Sequence, residues 1–168
     1  GVLITDMDML PMNRTYYVDS IHSYPDDAFI VYRDVCLPHE ISMCYNVALP
    51  AVWSSMFGGE SMETVLRRWY NGTSYSGEHG GAGWSTDQTI LVHMFNQWNG
   101  TKVVLNDRVT QFGRLDRSYH RKLFENHDDL RNSIRQGKFA DYHCFRPYME
   151  YQEMNDFVVS CLEECLTE

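Results

Sequence analysis

Short apolar runs alternate along this chain with stretches in which apolar residues recur every three or four positions. That alternation restricts the fold to the α/β class, with strands interleaved with helices. Residues 1–5 read Gly-Val-Leu-Ile-Thr, a run suited to a buried strand, and end at Asp6-Met7-Asp8. Such a strand needs neighbours on both sides, so we expect the chain to be the later part of a longer protein. A second strand is expected over 28–33, after the Pro-Asp-Asp turn signal at 25–27. A third is expected within 41–49, stopped by Pro50, which suits the first turn of a short helix over 51–57. Gly58-Gly59 breaks that helix. Residues 60–70 predict another, apolar at 62, 65, 66 and 69 and ended by Asn71-Gly72.

Residues 71–84 are rich in Gly, Ser and Asn and predict a mobile loop. Ser85-Thr86-Asp87-Gln88 then fits a capping box, followed by a stripe of Ile90, Leu91, Met94, Phe95 and Trp98. A strand is expected over 102–105, polar loop over 106–117, helices over 118–125 and 127–136, and a strand over 139–143. The last helix has the clearest stripe: Met154, Phe157, Val158, Cys161, Leu162 and Cys165. Without a repeat, linker or low-complexity tract, residues 1–168 read as a single domain.

Composition narrows the function. Fourteen Lys and Arg stand against 23 Asp and Glu, for a formal charge of −9. A sequence-independent nucleic-acid binder needs a basic face to displace counterions, so that class is set aside. An acidic chain still binds a polyphosphate when a divalent metal bridges the two. No apolar run approaches the ~20 residues that span a bilayer. The five cysteines include no CxxC pair and read as reduced, mostly buried side chains. Asn-x-Thr sequons at Asn13, Asn71 and Asn99 keep a lumenal location open.

Asp6 and Asp8 are the sharpest chemical feature. Two carboxylates one residue apart at a strand end can offer hard oxygen ligands to Mg²⁺ or Mn²⁺. Ligands of open α/β sheets bind outside the carboxyl ends of strands. Asp87-Gln88 opens an amphipathic helix, where free N–H groups and the helix dipole keep a carboxylate ionised. Such a group can accept sugar hydroxyls or face a developing oxocarbenium ion. His143, at the end of the 139–143 strand, can complete a metal's shell as neutral imidazole. Arg146 can neutralise diphosphate oxygens. Tyr45-Asn46 and Trp84 are candidates for binding or stacking a sugar, as is Trp53, for which core packing is the commoner role. Each feature also has a plain structural reading: solvated turn aspartates, a helix cap, a loop histidine, a turn asparagine.

In order and approximate spacing, Asp6-x-Asp8, Tyr45-Asn46, Asp87-Gln88 and His143 with Arg146-Pro147 resemble the motifs of retaining GT-A glycosyltransferases. That family includes glycogenin and bacterial lipopolysaccharide galactosyltransferases. Met-Leu-Pro-Met-Asn and Val-Tyr-Arg-Asp also resemble a small glycosyltransferase domain of chlorella viruses. The resemblance implies a mixed sheet flanked by helices, starting at the DxD strand and lacking the nucleotide-binding strands that precede it in the family. It implies a Mn²⁺ or Mg²⁺ ion on Asp6, Asp8 and His143, and diphosphate contacts from Asp6, Arg146 and Lys138. It implies sugar-facing roles for Asp87 and Gln88, with Tyr45, Asn46 and Trp84 binding substrate. The donor is then a nucleoside-diphosphate sugar, by family habit a UDP-sugar. The group moved is a hexose or deoxyhexose, and the acceptor is a glycan or a protein-linked glycan. A viral enzyme of this kind works in the host cytoplasm, the location favoured over the Golgi lumen. The late signature departs from the family, with Arg146 in place of Lys and no Gly between it and His143.

Two other classes remain. Leu-Ile-Thr-Asp-Met-Asp also looks like the opening of a haloacid dehalogenase-type phosphatase, with Asp6 as nucleophile. There Leu10 stands where Thr or Val belongs, and the Asp pairs at 26–27 and 128–129 lie in polar surroundings. The aromatic content also fits a non-catalytic carbohydrate-binding module.

Overall fold

The fold is taken from a computed structural model that describes residues 1–70, 74–111, 113–117 and 120–167. The sequon at Asn71, the Asn71-Gly72 helix stop, residues 118 and 119 of the expected 118–125 helix, and the side chains of residues 62 and 66 lie outside the described residues. The chain is mixed α/β, with two mixed sheets and helices. Its contacts gather into two compact units, a division that no composition shift announces within the single domain expected. One comprises Gly1–Thr5 with Tyr24–Val109, the other Asp6–Ser23 with Thr110–Glu168.

The first unit carries a four-stranded sheet ordered β1 (Val2–Ile4), β4 (Asn46–Ala48), β3 (Ala28–Val31), β5 (Thr101–Val104). The β1–β4 and β3–β4 pairs are antiparallel, and β3–β5 is parallel. β3 is buried along its whole length, as its apolar run requires. β1 is not: within this sheet it pairs with β4 alone, and its side chains are exposed or half-buried. The opening run is apolar, yet it forms an edge here and not the doubly flanked strand expected. Helices α2 (Pro50–Met56), α3 (Met62–Tyr70) and α4 (Thr86–Gln97) belong to the same unit. Pro50 opens α2 where its missing N–H costs nothing. Phe29, Val31 and Ile41 form a core with Val52 and Met56 of α2 and Leu91, Val92 and Phe95 of α4. Trp53, partly buried, stands edge-on to Phe29 at 4.6 Å between ring centres and packs against that core.

The second unit carries a three-stranded sheet ordered β2 (Met9–Pro11), β7 (Phe139–His143), β6 (Gly113–Asp116). β2 runs antiparallel to β7 and β6 parallel to it. The polar stretch 106–117, expected as loop, holds α5 (Asp107–Thr110) and β6. Its polar residues pair across the ladder: Arg114 stands opposite Asp141, and Asp116 opposite His143. Leu115 and Tyr142, fully buried and opposite each other, supply the apolar pair between them. β2, the short helix α1 (Arg14–Tyr17) and the 3₁₀ turn Asp19–Ile21 were not expected. A second 3₁₀ turn, Arg121–Glu125, occupies part of the expected 118–125 helix.

Helices α6 (His127–Arg135) and α7 (Gln152–Thr167) pack their stripes against the sheet. Val158 and Cys161 of α7 are fully buried, joined by Leu130, Ile134, Phe124 and Phe145, while Cys165 at the end of the stripe is exposed. The cysteines among the described residues form no disulfide. No helix among the described residues is long and apolar enough to cross a membrane.

Asn13 caps α1 by accepting the Tyr16 N–H at 3.1 Å, while its amide donates to the Gly137 carbonyl at 3.0 Å. That sequon nitrogen is therefore engaged within the fold. Asp141 is 1% exposed and is held by the Tyr17 hydroxyl at 2.8 Å and Arg114 Nε at 3.2 Å. Removing one partner of a buried ion pair leaves an uncompensated charge. Asp141→Ala is therefore expected to lower unfolding free energy by about 3 kcal/mol, read as a lower urea midpoint at unchanged m-value. An unchanged midpoint contradicts this account of β6.

Candidate functional site

In the second unit, three strands bring distant residues to one sheet end. β6 and β7 are parallel and finish together at Asp116 and His143. β2 is antiparallel and begins at that same end, Met9 opposite His143. The residue before β2 is Asp8. It sits in a tight turn closed by the Met9 N–H donating to the Asp6 carbonyl at 3.1 Å. The Cys144 N–H continues the ladder by donating to the Asp8 carbonyl at 2.8 Å. Backbone pairing thus fixes Asp8 beside His143, 135 residues away in sequence.

The side chains complete the cluster. Asp8 Oδ2 lies 3.2 Å from His143 Nε2, 2.9 Å from Arg146 Nε and 3.2 Å from Arg117 Nη1. His143 Nδ1 lies 2.9 Å from Asp116 Oδ2. Arg117 Nη1 also donates to the Cys144 carbonyl at 2.7 Å, which ties the guanidinium to the loop after β7. Asn155 of α7 braces that loop: its Oδ1 accepts from the Tyr142 hydroxyl at 2.7 Å and the Phe145 N–H at 3.1 Å. Its amide nitrogen donates back to the Phe145 carbonyl at 3.2 Å. Burial pushes the Asp8 carboxyl up, but the charges of His143, Arg146 and Arg117 outweigh it and hold the carboxyl below its ordinary value. Burial, with Asp8 nearby, raises the Cys144 thiol, which therefore stays protonated and neutral near pH 7.

A neutral imidazole has one N–H. When Nδ1 donates it to Asp116, Nε2 presents a lone pair toward Asp8 Oδ2. A lone pair and a carboxylate oxygen facing each other attract when a cation, either a second proton or a metal, lies between them. A carboxylate behind an imidazole is also the usual support of a metal-binding histidine, fixing its tautomer and orientation. Asp8 offers a hard oxygen of the kind that Mg²⁺ and Mn²⁺ take, ions that fill the rest of their shell from water and substrate phosphate. Among the described residues no group of three or more His, Cys, Asp and Glu side chains is gathered closely enough to enclose a metal. A substrate would have to supply the remaining ligands.

Of the residues singled out from sequence, Asp8, His143 and Arg146 come together. Asp6 is exposed at the first position of the turn, and Lys138 is exposed just ahead of β7. Asp116, Arg117 and Asn155 were missed. Asp116 and Arg117 lay in the supposed loop; the available signal was Arg114 and Asp116 spaced two apart, like Asp141 and His143.

The other candidates lie in the first unit. Tyr45 is 1% exposed, and its ring lies under the Arg33 guanidinium at 5.1 Å. Arg33 in turn grips Asp107 through Nε and Nη2. Asn46 is fully buried and donates to the carbonyls of Ser42 at 2.8 Å and Met43 at 3.2 Å. Both side chains thus face the interior, not solvent. Trp84 is exposed and lies against His79 at 4.5 Å between ring centres. Ser85 stands at the N-cap of α4 but makes no side-chain cap bond. Asp87 instead accepts the Gln88 N–H at 2.8 Å and remains exposed. Gln88 accepts the Ile41 N–H on its carbonyl at 3.3 Å.

Asp8 binds protons less readily folded than unfolded, so its stabilising contribution is present above its ordinary value of 3.8 and is lost as pH falls through the lowered value. The stability difference between wild type and Asp8→Asn is therefore expected to shrink as pH is lowered from about 5 to about 2. Urea midpoints measured across that interval check this, and a gap that widens contradicts the electrostatics described.

Compared with known proteins, the chain gives no significant match to a family model, a curated protein or a solved structure.

Proposed function

We propose that this chain is a metal-dependent glycosyltransferase of GT-A type. It would move a hexose or deoxyhexose from a nucleoside-diphosphate sugar, by resemblance a UDP-sugar, to a glycan or protein-linked acceptor. The observation that carries the reading is Asp8 and His143 held side by side, with Asp116 behind the imidazole. Asp8 and His143 would hold the ion, with Asp6 two residues before Asp8 in the same turn. A bound Mg²⁺ or Mn²⁺ supplies Lewis-acid neutralisation of the departing diphosphate.

The chain's own groups supply the rest. Asp116 holds His143 in the orientation that turns Nε2 toward Asp8. Asn155 and Arg117 fix the loop that carries Arg146. Arg146 is exposed over half its side chain, and Arg117 is the more buried of the two. In this reading Arg146 leaves Asp8 for the diphosphate, whose oxygens match a planar guanidinium, and Arg117 stays as the anchor. The local cation pair answers the chain's net negative charge at the one place where a polyphosphate must approach. Transfer forms a bond from an acceptor hydroxyl oxygen to the anomeric carbon and breaks the bond from that carbon to the diphosphate. The hydroxyl proton passes to the departing diphosphate. Asp87 and Gln88 take the sugar-facing roles by resemblance.

Calorimetry with a panel of nucleoside diphosphates, with and without Mn²⁺, tests the reading. UDP is expected to bind with Mn²⁺ and far more weakly without it. Asp116→Asn should weaken that binding by about 10–100-fold, the usual effect of losing the carboxylate behind a liganding histidine, and Asp8→Asn should remove it. Metal-independent binding that Asp8→Asn leaves intact contradicts the proposal. Trapping of Asp6 by beryllofluoride favours the phosphatase instead.

A further inference from the structure

We infer that the acceptor carries a compact apolar aglycone, of about the size of an aryl group, which seats in a cleft of the second unit beside Asp8. The inference rests on the transfer reading for the word acceptor, but the cleft itself is independent of it. The cleft encloses about 330 Å³, within the range of small-molecule sites. Its walls are Met9, Leu10, Tyr142 and Phe145, with Tyr148 and Val159 at the rim. Asp8 and Arg146 line it as well and are the charges it meets.

The interior offers little to a polar ligand. Asn155 reaches the cleft, but its amide oxygen already accepts two hydrogen bonds and its nitrogen donates to Phe145. A hydroxyl-covered sugar placed inside would lose hydration without gaining partners, whereas an apolar ring gains by leaving water. The rim repeats the pattern. Met7, Tyr148, Met149 and Val159 are large apolar side chains left exposed along the same segments. The Tyr148 hydroxyl donates to Asp156 at 2.5 Å, which ties the rim to α7.

The volume selects among apolar groups. It stands at the small end of ligand sites, with room for one or two rings and too little for a long lipid chain. A ligand that is polar at one end fits the whole arrangement: ring inside, hydroxyl-bearing sugar outward at Asp8 and Arg146. That orientation leaves the acceptor hydroxyl beside the proposed diphosphate site.

The test is calorimetry of the full chain in chelator, without nucleotide, using matched p-nitrophenyl and methyl glycosides of several hexoses. At least one p-nitrophenyl glycoside is expected to bind ten times more tightly than its methyl counterpart. Val159→Glu, at an exposed position on the rim, should reduce that binding at least tenfold with an unchanged circular dichroism spectrum. Tyr148→Ala should weaken it as well, which guards against a misfolded Val159 variant. Equal binding of each matched pair overturns the inference, as does binding that survives both substitutions. An octyl glycoside that outcompetes the aryl one replaces the proposed occupant with an alkyl chain and also overturns it. Aryl selectivity without Mn²⁺-dependent UDP binding would retain the cleft and sink the transferase, and the converse result would do the opposite.

Discussion

The carboxylate of Asp8 is the constraint around which the second unit is arranged. A half-buried anion needs partners, and here they come from the two strand ends and the loop beside it: His143 and Arg146 from β7 and after, Arg117 from the turn after β6. None of these contacts is local in sequence. They exist because β2 pairs antiparallel to β7 while β6 pairs parallel to it, which puts the start of one strand and the ends of two others on the same side. Backbone pairing sets the geometry, and the charged cluster uses it. Arg117, Arg146 and His143 gather on Asp8, with Asp116 behind the imidazole, so paired charges of both signs meet at one sheet end.

The second layer of that site is as telling as the first. Asp116 is buried behind His143, Asn155 is buried behind Phe145, and Arg117 is bound at once to a carboxylate and a carbonyl. Side chains held this way lose little freedom when a ligand arrives, so binding energy is not spent on ordering them. Arg146 differs. More exposed and attached through Nε, it is the member of the cluster best able to change partners.

The apolar strands and striped helices were legible in the sequence because burial writes itself as periodicity. β7 and α7 show it well: Phe139–His143 is found at its expected bounds, and Val158 and Cys161 are buried as their spacing requires. β6 was not legible, because its inward contacts are ionic and a strand with one buried leucine between Arg114 and Asp116 reads as loop. β2 failed for a different reason. It is three residues long and ends in proline, and only its pairing with β7 makes it a strand. Among the site residues, Asp8, His143 and Arg146 stood out as chemistry at strand ends. Tyr45 and Asn46 stood out too, yet both are buried, one beneath Arg33 and one bonded to backbone carbonyls, the capping role that a turn asparagine commonly takes. The motif named the residues, and burial decides which of them a solute can touch.

The account turns on His143 and Asp8 sharing a divalent ion. Electron spin-echo spectroscopy of Mn²⁺ with UDP and ¹⁵N-histidine-labelled protein examines that contact directly. The account predicts a nitrogen coupling of a directly bound imidazole, present in the wild type and lost in His143→Ala. A Mn²⁺–UDP spectrum that the protein leaves unaltered, or a nitrogen coupling that survives His143→Ala, would contradict it.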